Sequence, residues 1–405
     1  MTARWRALIY VLGAAMCKPS CSLAGVWGAD PKIGIVGDYS TNAELLDLPH
    51  TAQTDGALLL DSPVTYNGDA LMLSVLPSFR FSNSTGYSSV TSDYDRLSIK
   101  SEYHTERSIV TTSAAVARDS SLYYDYLSNG SAGVQRDSWT ADLNWDRSLT
   151  ERVDFVTDVN STRVRYGEAV GIPTLTNFRY TSISPSVAWN SSEQNKLTAS
   201  ASVGRYDSLD GTTESRNGNL QLGFARQLTE IWSFTAVAGY SRALNRLDTE
   251  QQFLEFTPQG PVIVLVPLTL ESAQNGTVYS VNFSRKGTLL LVNATVSRQL
   301  VPTGFAYLSL QESAEVSANY SYSDRWSFTA DAHYVRAQNP QLQGEVIIQT
   351  PKYLGITANW HWTEHWTLSL GASRIMERYS PPTVDISSNE VSITVSRQFD
   401  HVKFQ

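Results

Sequence analysis

Hydrophobic and polar residues alternate along most of this 405-residue chain. From Trp139 to Trp145 every second side chain is apolar and the others are polar, and the aromatic and alanine positions of 232–240 recur in 326–334. An alternation of period two predicts extended strands that have one apolar face and one polar face. The chain is therefore predicted to be all-β.

A short turn signature separates many of these strands and consists of a hydroxyl residue, an acidic residue and one variable residue. Its copies begin at Thr105, Thr150, Ser192, Thr229, Ser323 and Thr363. A repeat of about 40 residues is also typical of a propeller, but each propeller blade needs four short strands, whereas each repeat here holds two long ones. The pattern predicts 18 strands, at 32–41, 57–66, 70–82, 94–104, 107–118, 137–147, 152–164, 178–190, 196–206, 216–227, 231–242, 277–286, 288–299, 312–322, 325–337, 352–362, 366–377 and 388–399.

Strand length and loop asymmetry favour a membrane barrel over a soluble sandwich. Strands of roughly 9–11 residues are long enough to cross a bilayer, and outer-membrane barrels have short periplasmic turns and longer external loops. The predicted fold is therefore a transmembrane, antiparallel, up-and-down β-barrel of about 18 strands, with 16 as the alternative count. The longer connections are predicted near 42–56, 83–93, 119–136, 165–177, 207–215, 243–276, 300–311, 338–351 and 378–387.

Six tryptophans lie within a few residues of a predicted short turn. Tryptophan is enriched where a membrane protein passes from hydrocarbon to water, so these residues are predicted to form an aromatic girdle. They are Trp145, Trp189, Trp232, Trp326, Trp362 and Trp366.

The N-terminus predicts export from the cytoplasm. A basic start, a short apolar stretch and small residues ending at Ala24 indicate that 1–24 is a signal peptide and that 25–405 is the barrel. Cleavage would remove both cysteines and with them any disulfide or thiol chemistry. The chain is acidic, with Asp+Glu 39 against Lys+Arg 31, so nucleic acid is not an expected partner. The expected location is the outer membrane of a Gram-negative bacterium, in contact with its lipid.

The polar face of each strand is predicted to line the lumen. Eighteen strands enclose more space than their inward side chains fill, so an aqueous channel is expected unless loops plug it. The ionisable residues assigned to this face are mostly acidic, which favours cations or neutral solutes; alternatively, these side chains only keep the wall wetted. The residues singled out are Glu102, Asp142, Asp146, Asp154, Asp158, Glu315, Asp331, His333, Arg80, Arg96 and Lys100.

The connection at 243–276 contains five consecutive apolar residues within a proline-rich stretch. Val262, Ile263, Val264, Leu265 and Val266 are too few to cross a membrane. One hypothesis is a constriction loop that folds into the pore. The alternative is an extracellular extension of two strands whose tip faces a partner.

Nothing in the pattern predicts an enzyme, a cofactor or a metal site. His361 and His365 are four residues apart but straddle a hairpin, so the helical spacing of a zinc site does not apply. Asp331, His333 and Ser327 share one strand face, yet nucleophilic catalysis requires contact among such groups, which spacing alone does not establish.

Several segments resemble a known family of outer-membrane β-barrels. The residues 297–304 with Glu312 and the turn 323–326, and the N-terminal segments 38–46 and 75–80, are similar to the family found with exosortase-linked (PEP-CTERM) exopolysaccharide loci. The resemblance implies a role in polysaccharide export, with a periplasmic polysaccharide-export protein as a partner. Members of this class end on an aromatic residue that the outer-membrane assembly machinery recognises, a role that the resemblance implies for Phe399, with Phe404 as the alternative.

Three functions follow as hypotheses. The first is a conduit for exopolysaccharide export, acting by weak hydrogen bonding along a polar lumen. The second is a general diffusion porin for small solutes. The third is a closed structural or adhesion barrel whose loops carry the function.

Overall fold

The structure is a computed structural model that describes residues 25–43, 45, 52–85, 94–120, 134–167, 175–257, 260–304, 308–339, 347–380 and 383–404. The predicted signal peptide, 1–24, lies outside the described residues. Within these ranges, no helix is long and apolar enough to cross a membrane.

The described residues form β-strands joined by turns. Their bounds are β1 Gly25–Ala29, β2 Lys32–Ser40, β3 Gln53–Asp61, β4 Val64–Gly68, β5 Leu71–Thr85, β6 Tyr94–His104, β7 Ser108–Ser120, β8 Gln135–Ser148, β9 Val153–Tyr166, β10 Phe178–Asn190, β11 Asn195–Ser208, β12 Thr213–Gln227, β13 Trp232–Thr257, β14 Gly260–Lys286, β15 Leu290–Pro302, β16 Leu308–Ser321, β17 Trp326–Asn339, β18 Ile347–His361, β19 Trp366–Ser380, β20 Val384–Gln398 and β21 Val402–Phe404.

Eighteen of these strands, β2, β3 and β5–β20, form one closed antiparallel barrel. Each strand pairs with the next barrel strand, and the barrel closes between β2 and β20, where Lys32 lies opposite Gln398 and Ser40 opposite Glu390. The predicted all-β, up-and-down barrel is confirmed, and its strand count is 18 rather than 16. An even number of strands brings the first and the last to the same end.

The second predicted strand, 57–66, is divided in the structure. β3 ends at Asp61 and β4 begins at Val64, with Pro63 between them. Proline has no N–H to donate to a ladder, so it ends the barrel strand here. β4 pairs with β1, which also pairs with β21, and these three short strands add a small sheet at the turn end of the barrel.

The recurring turn signature is explained by one hydrogen bond. In all six copies the hydroxyl oxygen accepts a hydrogen bond from the backbone N–H three residues later, a local bond that stabilises a tight turn. The pairs are Thr105–Ser108 at 2.9 Å, Thr150–Val153 at 3.1 Å, Ser192–Asn195 at 3.1 Å, Thr229–Trp232 at 3.1 Å, Ser323–Trp326 at 3.2 Å and Thr363–Trp366 at 3.1 Å.

At the end of the barrel opposite the short turns, several strands extend into segments that the sequence predicts to be loops. The largest difference is at 243–276, where β13 and β14 pair from Trp232 and Arg285 to Thr257 and Gly260. Pairing between β12 and β13 ends at Leu247, and pairing between β14 and β15 starts at Tyr279, so the rest of this hairpin projects beyond its neighbours. Pro261 and Pro267 of this stretch are tolerated in β14 because a strand without an outer neighbour needs no ladder donor on that side.

One face of the barrel wall exposes large apolar side chains around its circumference. Ile35 on β2, Leu222 on β12 and Ile356 on β18 are 66%, 72% and 57% exposed. A closed barrel with an apolar outer surface satisfies its backbone internally and presents that surface to hydrocarbon. The protein is therefore an integral β-barrel of the bacterial outer membrane.

Candidate functional site

The inner face of the barrel is identified by contacts between strands that are distant in the wall. Val164 on β9, Ala243 on β13 and Leu308 at the start of β16 belong to one buried cluster. These strands can meet only across the interior, so the side chains that share a face with Val164 point into the lumen. On β9 that face includes Asp158, because residues alternate sides along a strand.

The strand registers bring the predicted lumen residues to this inner face. Asp142 on β8 lies opposite Ser113 and Asn160, and Ser113 lies opposite Lys100 on β6. On the other side of the barrel, Glu315 lies opposite His333. Following the ladders strand by strand assigns the rest of the set to the same face: Arg80, Arg96, Glu102, Asp146, Asp154 and Asp331.

Several inward acids have only uncharged hydrogen-bond partners. Asp142 accepts a hydrogen bond from Ser113 Oγ at 2.9 Å, and Asp158 accepts one from Asn144 Nδ2 at 2.6 Å. Among the described residues, neither carboxylate is within salt-bridge distance of a basic side chain, and both are exposed to the lumen. These two residues therefore place uncompensated negative charge on the wall.

Other inward acids are neutralised locally. Glu102 lies 2.7 Å from His104 Nε2 and 3.8 Å from Lys100 Nζ, and Arg80 forms a salt bridge with Asp38. The wall is thus divided into stretches of paired charge and a stretch around Asp142 and Asp158 that is net negative.

Sequence reasoning missed further inward charges at strand ends and on the first two strands. The additional acids are Asp38, Asp55, Asp61, Asp119 and Glu377, and the additional bases are Lys32, Arg136 and Lys196. Glu390, which the sequence also assigned to the lumen, lies on the same face. Because side chains alternate between the two faces of a strand, correct strand bounds would have been enough to assign these residues to the inner face. They preserve the excess of acids over bases on this face.

The wall between β9 and β13 is lined mainly by hydroxyl and amide groups. A recess of about 360 Å³ opens there, bordered by Asp158 and by the side chains of Ser184, Ser186, Thr198, Ser200, Ser202, Asn219, Gln221 and Thr235. These groups can exchange hydrogen bonds with water or with a polar solute without a strong charge preference.

Thr303 and Gly304, which follow β15, contact the inner side of the barrel at its extracellular mouth. Tyr206 on β11 donates its hydroxyl to the carbonyl oxygen of Thr303 at 3.1 Å, and the carbonyl of Gly304 accepts a hydrogen bond from the Thr176 N–H at 2.7 Å. Thr176 precedes β10, so these two bonds tie the segment to the opposite wall.

A small apolar cluster holds this segment in place. Leu308 and Tyr206 are fully buried, and they pack with Val164, Phe178 and Ala243. The rings of Phe178 and Tyr206 are stacked with centroids 5.1 Å apart. Burial of such side chains is the main favourable contribution to packing, so this cluster fixes Leu308 at the mouth. We call Thr303, Gly304 and Leu308 the mouth segment; 305–307 lie outside the described residues.

The segment predicted as a constriction loop lies elsewhere. Val262–Val266 form part of β14 and pair with residues 251–255 of β13, so the backbone follows the strand-extension alternative rather than an irregular loop. Any role of these residues in a pore constriction stays a prediction. Sequence reasoning noted 300–311 only as a connection, and the one signal in it was the motif at 297–304.

The predicted aromatic girdle lies at the turn end of the barrel. Trp326 stacks on Trp360 with ring centroids 5.8 Å apart, and Trp360 stacks on Trp362 at 6.0 Å. Trp232 stacks on Phe283 at 4.7 Å, and Trp145 packs edge-on against Phe155. Trp189 and Trp366 are also exposed on the outer face. Trp360 was omitted from the predicted girdle although it joins the stack.

The C-terminal aromatic residues flank the small sheet. Phe399 follows β20, donates its N–H to the Pro31 carbonyl at 2.9 Å and lies 5.0 Å from the guanidinium of Arg397. Phe404 lies opposite Trp27 in the pairing of β21 with β1. Recognition of Phe399 during assembly stays a prediction.

No group of three or more His, Cys, Asp and Glu side chains among the described residues is arranged to hold a metal ion. His361 Nδ1 lies 3.1 Å from the Thr367 hydroxyl, whereas His365 lies 3.6 Å from Asp400. The two histidines therefore have separate partners.

No family model and no curated protein matches the chain. Among solved structures it is similar to the copper transporter OprC, with 9% identity and a TM-score of 0.48, over 88% of this chain and 64% of that one. It is also similar to Pseudomonas aeruginosa OccK5 (OpdH) and to Acinetobacter baumannii OccAB2, each with 10% identity and a TM-score of 0.45, over 92% of this chain and 98% of the other. The resemblance to barrels of exopolysaccharide loci stays a prediction.

Proposed function

We propose that this outer-membrane barrel is a passive diffusion channel for small cationic and neutral solutes. The observation that carries the proposal is the inner wall, where Asp142 and Asp158 have uncharged partners and Asp158 borders a recess lined mainly by hydroxyl and amide groups. Fixed charge in a confined aqueous path favours ions of the opposite sign. The mouth segment narrows the entrance and limits the size of the solute.

Export of an exopolysaccharide has less support than diffusion of small solutes. A polymer needs a continuous wide path, whereas at this mouth Leu308 of β16 is fully buried in one cluster with Tyr206 of β11. A closed barrel is the second candidate, because the mouth segment could block the lumen completely.

Conductance across a planar lipid bilayer tests the proposal. The purified protein is expected to form ion-conducting channels whose reversal potential under a KCl gradient indicates preference for K⁺ over Cl⁻. In the Asp142→Asn/Asp158→Asn variant this preference is expected to fall by roughly twofold or more, because lumen charge tunes selectivity. Glu271→Gln is the matched control, since it removes a charge from the outer face of the projecting hairpin.

Two outcomes contradict the proposal. Preference for Cl⁻ in the unaltered protein would overturn the role of the acids. Conductance near zero that persists after removal of 303–307 would support the closed barrel instead.

A further inference from the structure

Three arginines lie on the outside of the barrel near its extracellular end. Arg163 and Arg165 on β9 and Arg179 on β10 are all exposed. On β9 they share a face with Val153 and Phe155, which belong to the lipid-facing surface. These arginines therefore point away from the lumen and take no part in the proposed channel.

Arg163 and Arg179 place like charges side by side, and the two acids that lie nearest in the ladders already bind other arginines. Asp207, opposite Arg179, forms a salt bridge with Arg205, and Asp137, opposite Arg165, forms one with Arg118. Arg163 lies directly opposite Arg179 in the ladder between β9 and β10. Among the described residues, no carboxylate forms a salt bridge with Arg163, Arg165 or Arg179. Like charges directly opposite each other destabilise a strand pair, so this cluster favours an anion from outside the chain.

The neighbouring β11–β12 hairpin also places two arginines opposite each other, but there each arginine has a salt bridge. Arg205 lies directly opposite Arg216 in the ladder between β11 and β12. There the chain provides its own acids, with Asp207 at 2.8 Å from Arg205 and Glu214 at 2.6 Å from Arg216. The pair Arg205–Arg216 thus has salt bridges within its own hairpin, whereas the pair Arg163–Arg179 has none among the described residues.

Trp139 contacts two of the three arginines. The guanidinium carbons of Arg163 and Arg165 lie 5.9 Å and 5.8 Å from the centroid of its ring, within the range of a cation–π interaction. Tryptophan is enriched at membrane interfaces, so its position also indicates the depth of the cluster.

Counting residues along β9 and β10 gives the distance of the arginines from the aromatic girdle at the periplasmic end. This distance equals the thickness of the hydrocarbon layer. Val153 pairs with Trp189 of the girdle, and Arg163 pairs with Arg179 ten residues further on both strands. Ten residues of a strand tilted by roughly 40° span about 25 Å along the membrane normal, the height of the apolar band of such barrels. The arginines therefore lie at the level of the headgroups of the outer leaflet.

We propose that Arg163, Arg165 and Arg179 form a binding site for the phosphate groups of an anionic glycolipid in the outer leaflet. Guanidinium groups bind phosphate in bidentate geometry, and three of them converge on one outward patch. The site anchors a lipid against β8–β10 and relieves the repulsion between Arg163 and Arg179. It is independent of what passes through the lumen.

Lipid binding by the purified full-length protein in detergent tests this site. The probe is diphosphorylated lipid A, and native mass spectrometry gives the bound fraction over a concentration series. The Arg163→Gln/Arg179→Gln variant is expected to bind at least about tenfold more weakly, because charge-assisted hydrogen bonds are lost. Arg163→Lys/Arg179→Lys is expected to retain a large part of the affinity, since it keeps the charge.

Controls separate this site from general adhesion of lipid. Arg216→Gln removes an outward arginine that already has a carboxylate partner, and it should bind within about twofold of the unaltered protein. Dephosphorylated lipid A should bind weakly, and millimolar inorganic phosphate should not displace the lipid. Channel conductance should be unchanged in Arg163→Gln/Arg179→Gln, which shows that this variant folds.

Three results would overturn the proposal. Equal binding of diphosphorylated lipid A by the unaltered protein and by Arg163→Gln/Arg179→Gln would exclude these arginines. Equal binding of the dephosphorylated lipid would show that acyl chains alone drive binding. Displacement by inorganic phosphate would show that the site takes a free anion rather than a lipid.

Discussion

At the scale of single residues, the mouth segment depends on a few buried contacts. Tyr206 contributes both an apolar ring and a hydroxyl that reaches the backbone of Thr303 at 3.1 Å. Leu308 is fully buried although it lies at the start of a strand that leads out of a connection. Such burial is unusual for a connecting segment, since loops normally run over the surface.

Leu308→Ala is expected to loosen the mouth segment. Removing a fully buried leucine side chain costs about 2–5 kcal/mol through lost burial and the cavity left behind. The expected result is a larger single-channel conductance or frequent transitions to a larger level in planar bilayers. Leu289→Ala, at an exposed turn on the opposite end of the barrel, should leave the conductance unchanged. Equal conductance in Leu308→Ala and the unaltered protein would mean that the mouth segment does not limit the width of the channel.

At the scale of the elements, each barrel strand has one face for lipid and one for water. On β12, Leu220 is 69% exposed on the outside, whereas Asn219 lies opposite Ser202 and Ser241 and borders the polar recess inside. A shift of one residue in register would exchange these faces, so the alternation specifies the register strongly.

Arginine substitutions at these two neighbouring positions are expected to differ. Leu220→Arg places a charge against hydrocarbon and should lower the free energy of unfolding by about 2–4 kcal/mol near the middle of the bilayer. Asn219→Arg places the same side chain in the aqueous lumen and should have little effect. Denaturant titrations of both variants in lipid vesicles measure the difference. Similar losses of stability would contradict the assignment of faces.

At the scale of the whole molecule, the extracellular end has two structures with different expected roles. The projecting part of the β13–β14 hairpin pairs only with itself, whereas Leu308 of the mouth segment belongs to one cluster with residues of β9, β10 and β11. Length and apolar content made the hairpin the more conspicuous feature of the sequence. The contacts of the mouth segment are instead the reason for our proposal that it limits the width of the channel.

Removing each structure separately tests this proposal. Deletion of 303–307 is expected to raise the single-channel conductance, because it opens the mouth. Deletion of 251–266 shortens a hairpin that extends beyond its neighbours, so the conductance should remain that of the unaltered protein. The opposite pattern would restore Val262–Val266 as the constriction.

Much of the fold could be predicted because its determinants are local. The period of two specified strands and faces, and the hydroxyl residues of the short turns, such as Thr150 and Ser323, specified where each hairpin reverses. The errors occurred where local signals conflict. Pro63 divides a strand that hydrophobicity alone makes continuous, whereas the prolines in 261–267 suggested a loop where an unpaired edge tolerates them.

The sequence by itself determined the strands, their two faces, the turns and the excess of acids on the inner face, because all of these depend on residues close together in the chain. Only the tertiary structure decided that Leu308 meets Tyr206, that Asp142 forms no salt bridge with a basic residue in the described ranges, and that Arg163 lies opposite Arg179. Such contacts depend on the register between strands and on closure of the barrel, which bring together residues distant in sequence. Closure is a property of all 18 strands at once, so no local pattern contains it.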